Sequence, residues 1–119
     1  MHYVLFVVGF LHLLFMLCEI FPWSEPLLLR VASRELAAIE PLYSSQRELV
    51  ATIVHNAGVY NGIVAGGLFW AAFGGPEVLP VAEVMLVGAI AAGTFGTLTL
   101  KSPVAMLQAV LGVIGLFMI

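Results

Sequence analysis

The sequence predicts an all-α integral membrane protein: a bundle of four transmembrane helices, with a short amphipathic interfacial helix between the first two. Its 119 residues are 62% hydrophobic and only 9% charged, whereas about a quarter of the residues of a soluble domain are charged. The chain also divides into four apolar runs, and a spanning helix needs about 20 residues. Four crossings use most of the chain, so we expect a single domain over residues 1–119.

The first predicted span covers residues 3–22, where His12 and Glu19 are the strongly polar interruptions and Pro22 closes the run. The start of the chain lacks the basic region of a secretory signal, and no small-residue cleavage site follows the apolar run. We therefore expect this segment to be retained as a helix.

The connection after the first span contains the predicted amphipathic helix. Its apolar residues recur at helical spacing, with arginines and a glutamate between them, which is typical of a helix lying on a membrane surface. Ser45 and Glu48 have the spacing of a capping box, which predicts the start of the second span, residues 47–73. The apolar positions of the amphipathic helix are Leu28, Val31, Ala32, Leu36 and Ile39.

The third and fourth predicted spans cover residues 79–100 and 103–119. Pro80 suits the first turn of the third helix, because the amide that proline lacks has no partner there. Ser102 is a predicted N-cap and Pro103 the first-turn proline of the fourth helix.

The basic residues predict the orientation of the chain. They lie in the first and third connections, which share one side of the membrane, and the positive-inside rule makes that side cytoplasmic. Both termini are then extracytoplasmic. Four basic residues are too few for a phosphate-binding footprint, so we expect no nucleic-acid partner. The basic residues are Arg30, Arg34, Arg47 and Lys101.

Small residues recur every four positions in the second and third spans. Such ridges allow close approach of helices in lipid, so we expect the second and third spans to pack together through them, with homo-oligomerisation as the alternative. The ridges are Gly58, Gly62 and Gly66 in one span and Gly88, Ala92 and Gly96 in the other.

Polar side chains are costly inside a membrane, so they either pair within the bundle or serve function. Counted at about 1.5 Å per residue, those of the first, second and fourth spans fall in the cytoplasmic half of the bundle. We expect His12, Glu19 and Tyr60 as catalytic candidates. The expected ligand-binding residues are Asn56, Asn61 and Gln108. The alternatives are a satisfied core histidine, an interfacial hydrogen-bond acceptor, and interhelical hydrogen bonds worth about 0.6 kcal/mol each.

Two segments resemble a family of small bacterial membrane proteins catalogued as domain of unknown function 1304. One is His-Leu-Leu-Phe-Met-Leu-Cys-Glu-Ile-Phe-Pro-Trp, ending at Trp23, and the other is His-Asn-Ala-Gly-Val-Tyr-Asn-Gly, starting at His55. The resemblance covers essentially the whole chain, although His55 and Ala57 depart from the family's pattern. It implies four helices and the polar constellation given above, and no established activity.

The second helix is also similar to that of the styrene oxide isomerases, through His55 followed by Asn61 and Gly62. This resemblance implies a haem whose iron is bound by His55 and acts as a Lewis acid on an epoxide, with Asn61 positioning the substrate.

Several functions remain open at this point. The favoured hypothesis is a membrane-embedded site for a small lipophilic molecule, with Tyr60, His12 or His55 as proton donors or ligands. Other hypotheses are a haem-dependent epoxide isomerase, a small proton-coupled exporter that uses Glu19, and an accessory membrane subunit. Trp23 is expected in the aromatic belt at the membrane interface.

Overall fold

A computed structural model describes residues 3–30 and 44–119 of the chain. Four α-helices lie within these residues, residues 27–30 are also helical, and no β-strand is found among the described residues. The helices are α1 (Tyr3–Ile20), α2 (Ser44–Phe73), α3 (Leu79–Leu100) and α4 (Pro103–Met118), with a 3₁₀ turn at Pro76–Val78 before α3. The observed bounds lie within about three residues of the four predicted spans.

Three stretches are long and apolar enough to cross a membrane: Tyr3–Ile20, Ser45–Phe73 and Pro76–Leu100. The fourth helix, Pro103–Met118, is apolar but shorter, with 16 residues. At about 1.5 Å per residue it is about 24 Å long, which is about 6 Å less than the hydrocarbon core, about 30 Å thick.

The ends of the last two helices follow from local sequence chemistry. Lys101 has φ 51° and takes the left-handed conformation that commonly ends a helix. Ser102 then accepts a hydrogen bond of 3.4 Å from the backbone N–H of Ala105, and Pro103 begins α4. The predicted N-cap is therefore confirmed. Pro80 lies in the first turn of α3, as predicted.

The structure divides into two compact units: a smaller unit, His12–Gly62, and a larger unit formed by Met1–Leu11 and Ile63–Ile119. In the smaller unit, α1 and α2 pack closely at two glycines. A β-carbon at Gly58 would lie 2.7 Å from Cγ1 of Ile20, and one at Gly62 would lie 2.7 Å from Sδ of Met16. The absence of these two side chains is what lets the helices approach.

In the larger unit, a core of small and branched residues joins α1, α2 and α3. Phe6 packs edge-on against Phe73, with ring centroids 4.8 Å apart. Helices α3 and α4 approach most closely at Gly93, where a β-carbon would lie 2.5 Å from the backbone nitrogen of Ala109. The buried core residues are Leu5, Val8, Leu68, Ala71, Ala72, Ala82 and Leu86.

The predicted partners of the glycine ridges are wrong. Gly58 and Gly62 pack against α1 instead of α3, and Gly96 contacts Ala105 of α4. Gly66 and Gly88 have open space where a β-carbon would stand. A four-residue spacing places glycines on one helix face, but it does not say which neighbour that face meets.

Two further predictions concern the connection between α1 and α2. Residues 27–30 are helical, in agreement with the start of the amphipathic helix, and the rest of that helix falls outside the described residues. Helix α2 begins at Ser44, so Ser45 lies within its first turn. The prediction of Ser45 as the N-cap is therefore wrong, because helix boundaries are the least certain part of a reading from sequence.

Candidate functional site

Glu19 and Asn61 form a hydrogen bond that joins α1 to α2. The side-chain Nδ2 of Asn61 donates to Oε2 of Glu19 over 2.7 Å. Glu19 is only 9% exposed, although it lies one residue before the end of α1. A β-carbon at Gly58 would lie 3.1 Å from Cβ of Glu19, so the glycine allows the carboxylate to reach α2. Two residues that the sequence singles out are thus brought together.

His12 lies two helical turns before Glu19 on α1 and is fully buried, with 0% exposure. Its ring packs edge-on against Phe15, with centroids 5.9 Å apart. The position agrees with a core histidine on the same helix face as Glu19. It is one of the two buried polar side chains among the described residues, and the other is Glu19.

Trp23 and His55 form a second contact within the smaller unit. Their rings stack face to face, with centroids 3.9 Å apart and planes 6° from parallel. Trp23 nevertheless remains 67% exposed, so the imidazole covers one face of the indole. Nε2 of His55 is buried and has no hydrogen-bond partner among the described residues.

An open cleft with a volume of about 350 Å³ lies beside this stacked pair. A neighbouring cleft of about 290 Å³ shares two of its residues, Ser24 and Glu48. From the sequence, Trp23 is predicted only as a residue of the aromatic belt, and Glu48 only as part of the capping box at the start of the second span. The sequence could have predicted this face of α2, because its lining residues are spaced at one and two helical turns: Glu48, Ala51, Thr52, His55 and Asn56. The larger cleft is lined by Trp23, Ser24, Glu48, Ala51, Thr52, His55 and Asn56.

The charges around the second cleft are partly compensated. Glu25 forms salt bridges of 3.6 Å with both Arg30 and Arg47. These pairs are about half exposed, so each contributes little stability. The pair between Glu25 and Arg47 links the segment after α1 to the first turn of α2, next to the larger cleft.

Three of the predicted site residues are not part of the Glu19–Asn61 contact. Tyr60 is 69% exposed, and Asn56 is exposed on the rim of the larger cleft. Gln108 is half-buried on α4, in the larger unit. The described structure therefore gathers His12, Glu19, Asn61 and His55 in the smaller unit, with Asn56 at the cleft and Tyr60 facing outward.

Nε2 of His55 is not open to a haem iron in this structure. An axial ligand to iron needs an open nitrogen, and Nε2 of His55 is closed off by protein atoms. Among the residues that the structure describes, no group of three or more histidine, cysteine, aspartate or glutamate side chains could hold a metal ion.

Comparison with known proteins assigns a family. The profile of the family described as "Protein of unknown function (DUF1304)" matches residues 6–119. An uncharacterized protein, YpaA of Lactococcus lactis subsp. lactis (strain IL1403), is 30% identical over 71 residues, which cover 60% of each chain. No solved structure matches the chain significantly, and the local likeness to the styrene oxide isomerases stays a prediction. The chain belongs to the DUF1304 family of proteins of unknown function.

Proposed function

We propose that this protein spans the bacterial inner membrane four times and binds a small lipophilic molecule in the smaller unit, near the cytoplasmic side. The observation that carries the proposal is the hydrogen bond between Asn61 of α2 and the buried carboxylate of Glu19, near the end of the largely apolar α1. A carboxylate is expensive to place in such surroundings, and polar groups kept there are commonly functional.

The proposal that the chain spans a membrane is supported by the lengths of its apolar helices, and the orientation by the positions of its basic residues. Three stretches meet the length and composition of a span, and α4 adds a shorter apolar helix. Arg30 and Arg47 flank the connection between α1 and α2, and Lys101 lies between α3 and α4. With these connections on the cytoplasmic side, both termini are extracytoplasmic.

Ligand binding is favoured over simple helix cohesion because the smaller unit also contains a cleft. Interhelical hydrogen bonds alone need no cavity, but the smaller unit contains an open cleft lined by an indole, an imidazole and several polar side chains. Mostly apolar walls with a few placed polar groups are the usual composition of a small-molecule site. A lipophilic molecule would enter from the bilayer and use Asn56, Thr52 or Ser24 for orientation.

The geometry supports binding more directly than it supports a particular reaction. His12 and Glu19 are both buried, and Tyr60 faces away from them toward the surroundings. The exporter hypothesis needs a carboxylate that exchanges its proton for cargo, whereas Glu19 is held by Asn61.

A thermal-shift measurement with a panel of lipophilic ligands tests the proposal. The purified full chain in phospholipid nanodiscs is heated with each compound, and at least one compound is expected to raise the unfolding temperature progressively as its concentration exceeds its Kd. The same shift should shrink in Thr52→Ala, which alters the cleft, and persist in Glu83→Gln, which alters an exposed residue of α3. A panel with no stabilising compound would contradict the proposal.

A further inference from the structure

We propose that the larger cleft selects ligands with an organic cation at one end, bound between the Trp23 indole and the Glu48 carboxylate. The inference deepens the proposed function and rests on it, since it names the chemical class of the ligand. It assigns roles to two residues that lie outside the polar constellation predicted from the sequence.

The indole supplies one half of the cation site. One face of Trp23 is stacked on His55 at 3.9 Å, which fixes the orientation of the ring. With 67% of the residue exposed, the opposite face remains open beside the cleft. The negative face of an indole attracts ammonium groups, and tryptophan is the best aromatic side chain for this purpose.

The carboxylate supplies the other half. Glu48 lies on α2 two turns before His55 and lines the same cleft. Among the described residues Glu48 forms no salt bridge, whereas the neighbouring Glu25 is paired with Arg30 and Arg47. Glu48 therefore presents to the cleft a carboxylate that has no salt-bridge partner among the described residues, while Arg30 and Arg47 share the single carboxylate of Glu25. A cation between Glu48 and Trp23 would gain both the charge–charge and the cation–π attraction.

The arrangement along α2 also orients the rest of the ligand. Glu48 lies near the polar start of the helix, and Ala51, His55 and Asn56 follow toward its apolar part. At about 1.5 Å per residue, Glu48 and Asn56 are separated by about 12 Å along the axis. An amphiphile with its cationic end at Glu48 would thus extend its apolar part toward the membrane interior.

Fluorescence of the full chain in zwitterionic phosphatidylcholine nanodiscs tests the inference. A Trp70→Phe variant leaves Trp23 as the single tryptophan, and its emission is titrated with benzyltrimethylammonium and with neopentylbenzene, the uncharged carbon analogue. We expect the cation to bind about fivefold or more tightly than its analogue. Glu48→Gln should remove most of that preference without weakening neopentylbenzene binding. Glu77→Gln, which neutralises an exposed carboxylate in the turn before α3, should preserve the preference.

The outcomes separate this inference from the proposed function. Equal binding of the two probes, or an unchanged preference in Glu48→Gln, would overturn the cation site and leave the lipophilic site in place. If neither probe bound and the ligand panel also gave no thermal shift, both proposals would fail. Trp23→Phe provides a second variant, read out by thermal shift, in which a smaller ring should reduce the preference for the cation by about twofold to fivefold.

Discussion

Asn61 donates a 2.7 Å hydrogen bond to Glu19, and this bond connects the end of α1 to the middle of α2. The contact is possible because Gly58, one turn away on α2, has no side chain to keep the two helices apart. The same two helices then bring Trp23 against His55. Along α2, the aromatic stack at His55, the glycine contact at Gly58 and the hydrogen bond at Asn61 therefore follow one another.

The first prediction concerns the amide of Asn61. Asn61→Ala leaves the Glu19 carboxylate buried without this donor, so we expect unfolding to become easier by about 1 kcal/mol or more. Asn56→Ala is the matched control, since Asn56 lies on the same helix but is exposed. Thermal unfolding in detergent measures both. If the two variants lost the same free energy of unfolding, the hydrogen bond from Asn61 would not stabilise the helix pair.

The sequence predicted the helices well and their mutual contacts poorly. Helix bounds follow from local signals such as Ser102 and Pro103, whose effects do not depend on the rest of the bundle. Contacts between helices depend on how each helix is rotated about its axis. In lipid no hydrophobic effect sets that rotation, and apolar residues surround each helix almost evenly. The outward position of Tyr60 could not be derived from the sequence for this reason.

Part of the candidate site could be predicted from chemistry alone. Glu19 and Asn61 were singled out as polar groups in apolar helices, and each is the partner of the other. The roles of Trp23 and Glu48 were missed, because an interfacial tryptophan and a glutamate in the first turn of a helix are common structural features. Only their position beside a shared cleft distinguishes them.

The second prediction concerns the stacked pair. His55→Ala uncovers one face of the Trp23 indole, so the ring should gain mobility and contact with its surroundings. In a Trp70→Phe background we expect lower fluorescence anisotropy and stronger quenching by a soluble quencher. Ile53→Ala is the control, because Ile53 is an exposed residue of α2 that is not among the residues lining the larger cleft. Unchanged anisotropy in His55→Ala would show that the stack does not restrain Trp23.

The third prediction uses two glycines of α3. Gly93→Ala places a β-carbon 2.5 Å from the backbone of α4, which cannot yield as a flexible side chain would, and we expect a loss of about 1–3 kcal/mol. Gly88→Ala meets open space and should be neutral, or more stable by up to about 1 kcal/mol because alanine favours helix. Unfolding curves of the two variants provide the comparison, and a tolerated Gly93→Ala would contradict the observed packing of α3 on α4.

The fourth prediction concerns topology. In a Cys18→Ala background, a cysteine at Glu77 should react with a membrane-impermeant maleimide from the periplasm, and one at Lys101 only after the cytoplasmic side is opened. The two positions lie at opposite ends of α3. Labelling of both from the same side would mean that α3 does not cross the membrane.

Photoaffinity labelling can show whether the smaller unit contains a saturable site for a lipophilic molecule. A lipophilic diazirine would be activated in membranes containing the protein, and the labelled residues would be mapped by mass spectrometry. We expect the labelling that excess unlabelled ligand competes away to concentrate on residues that line the larger cleft: Trp23, Ser24, Ala51, Thr52, His55 and Asn56. Competed labelling spread evenly over the lipid-exposed faces of α3 and α4 would contradict it.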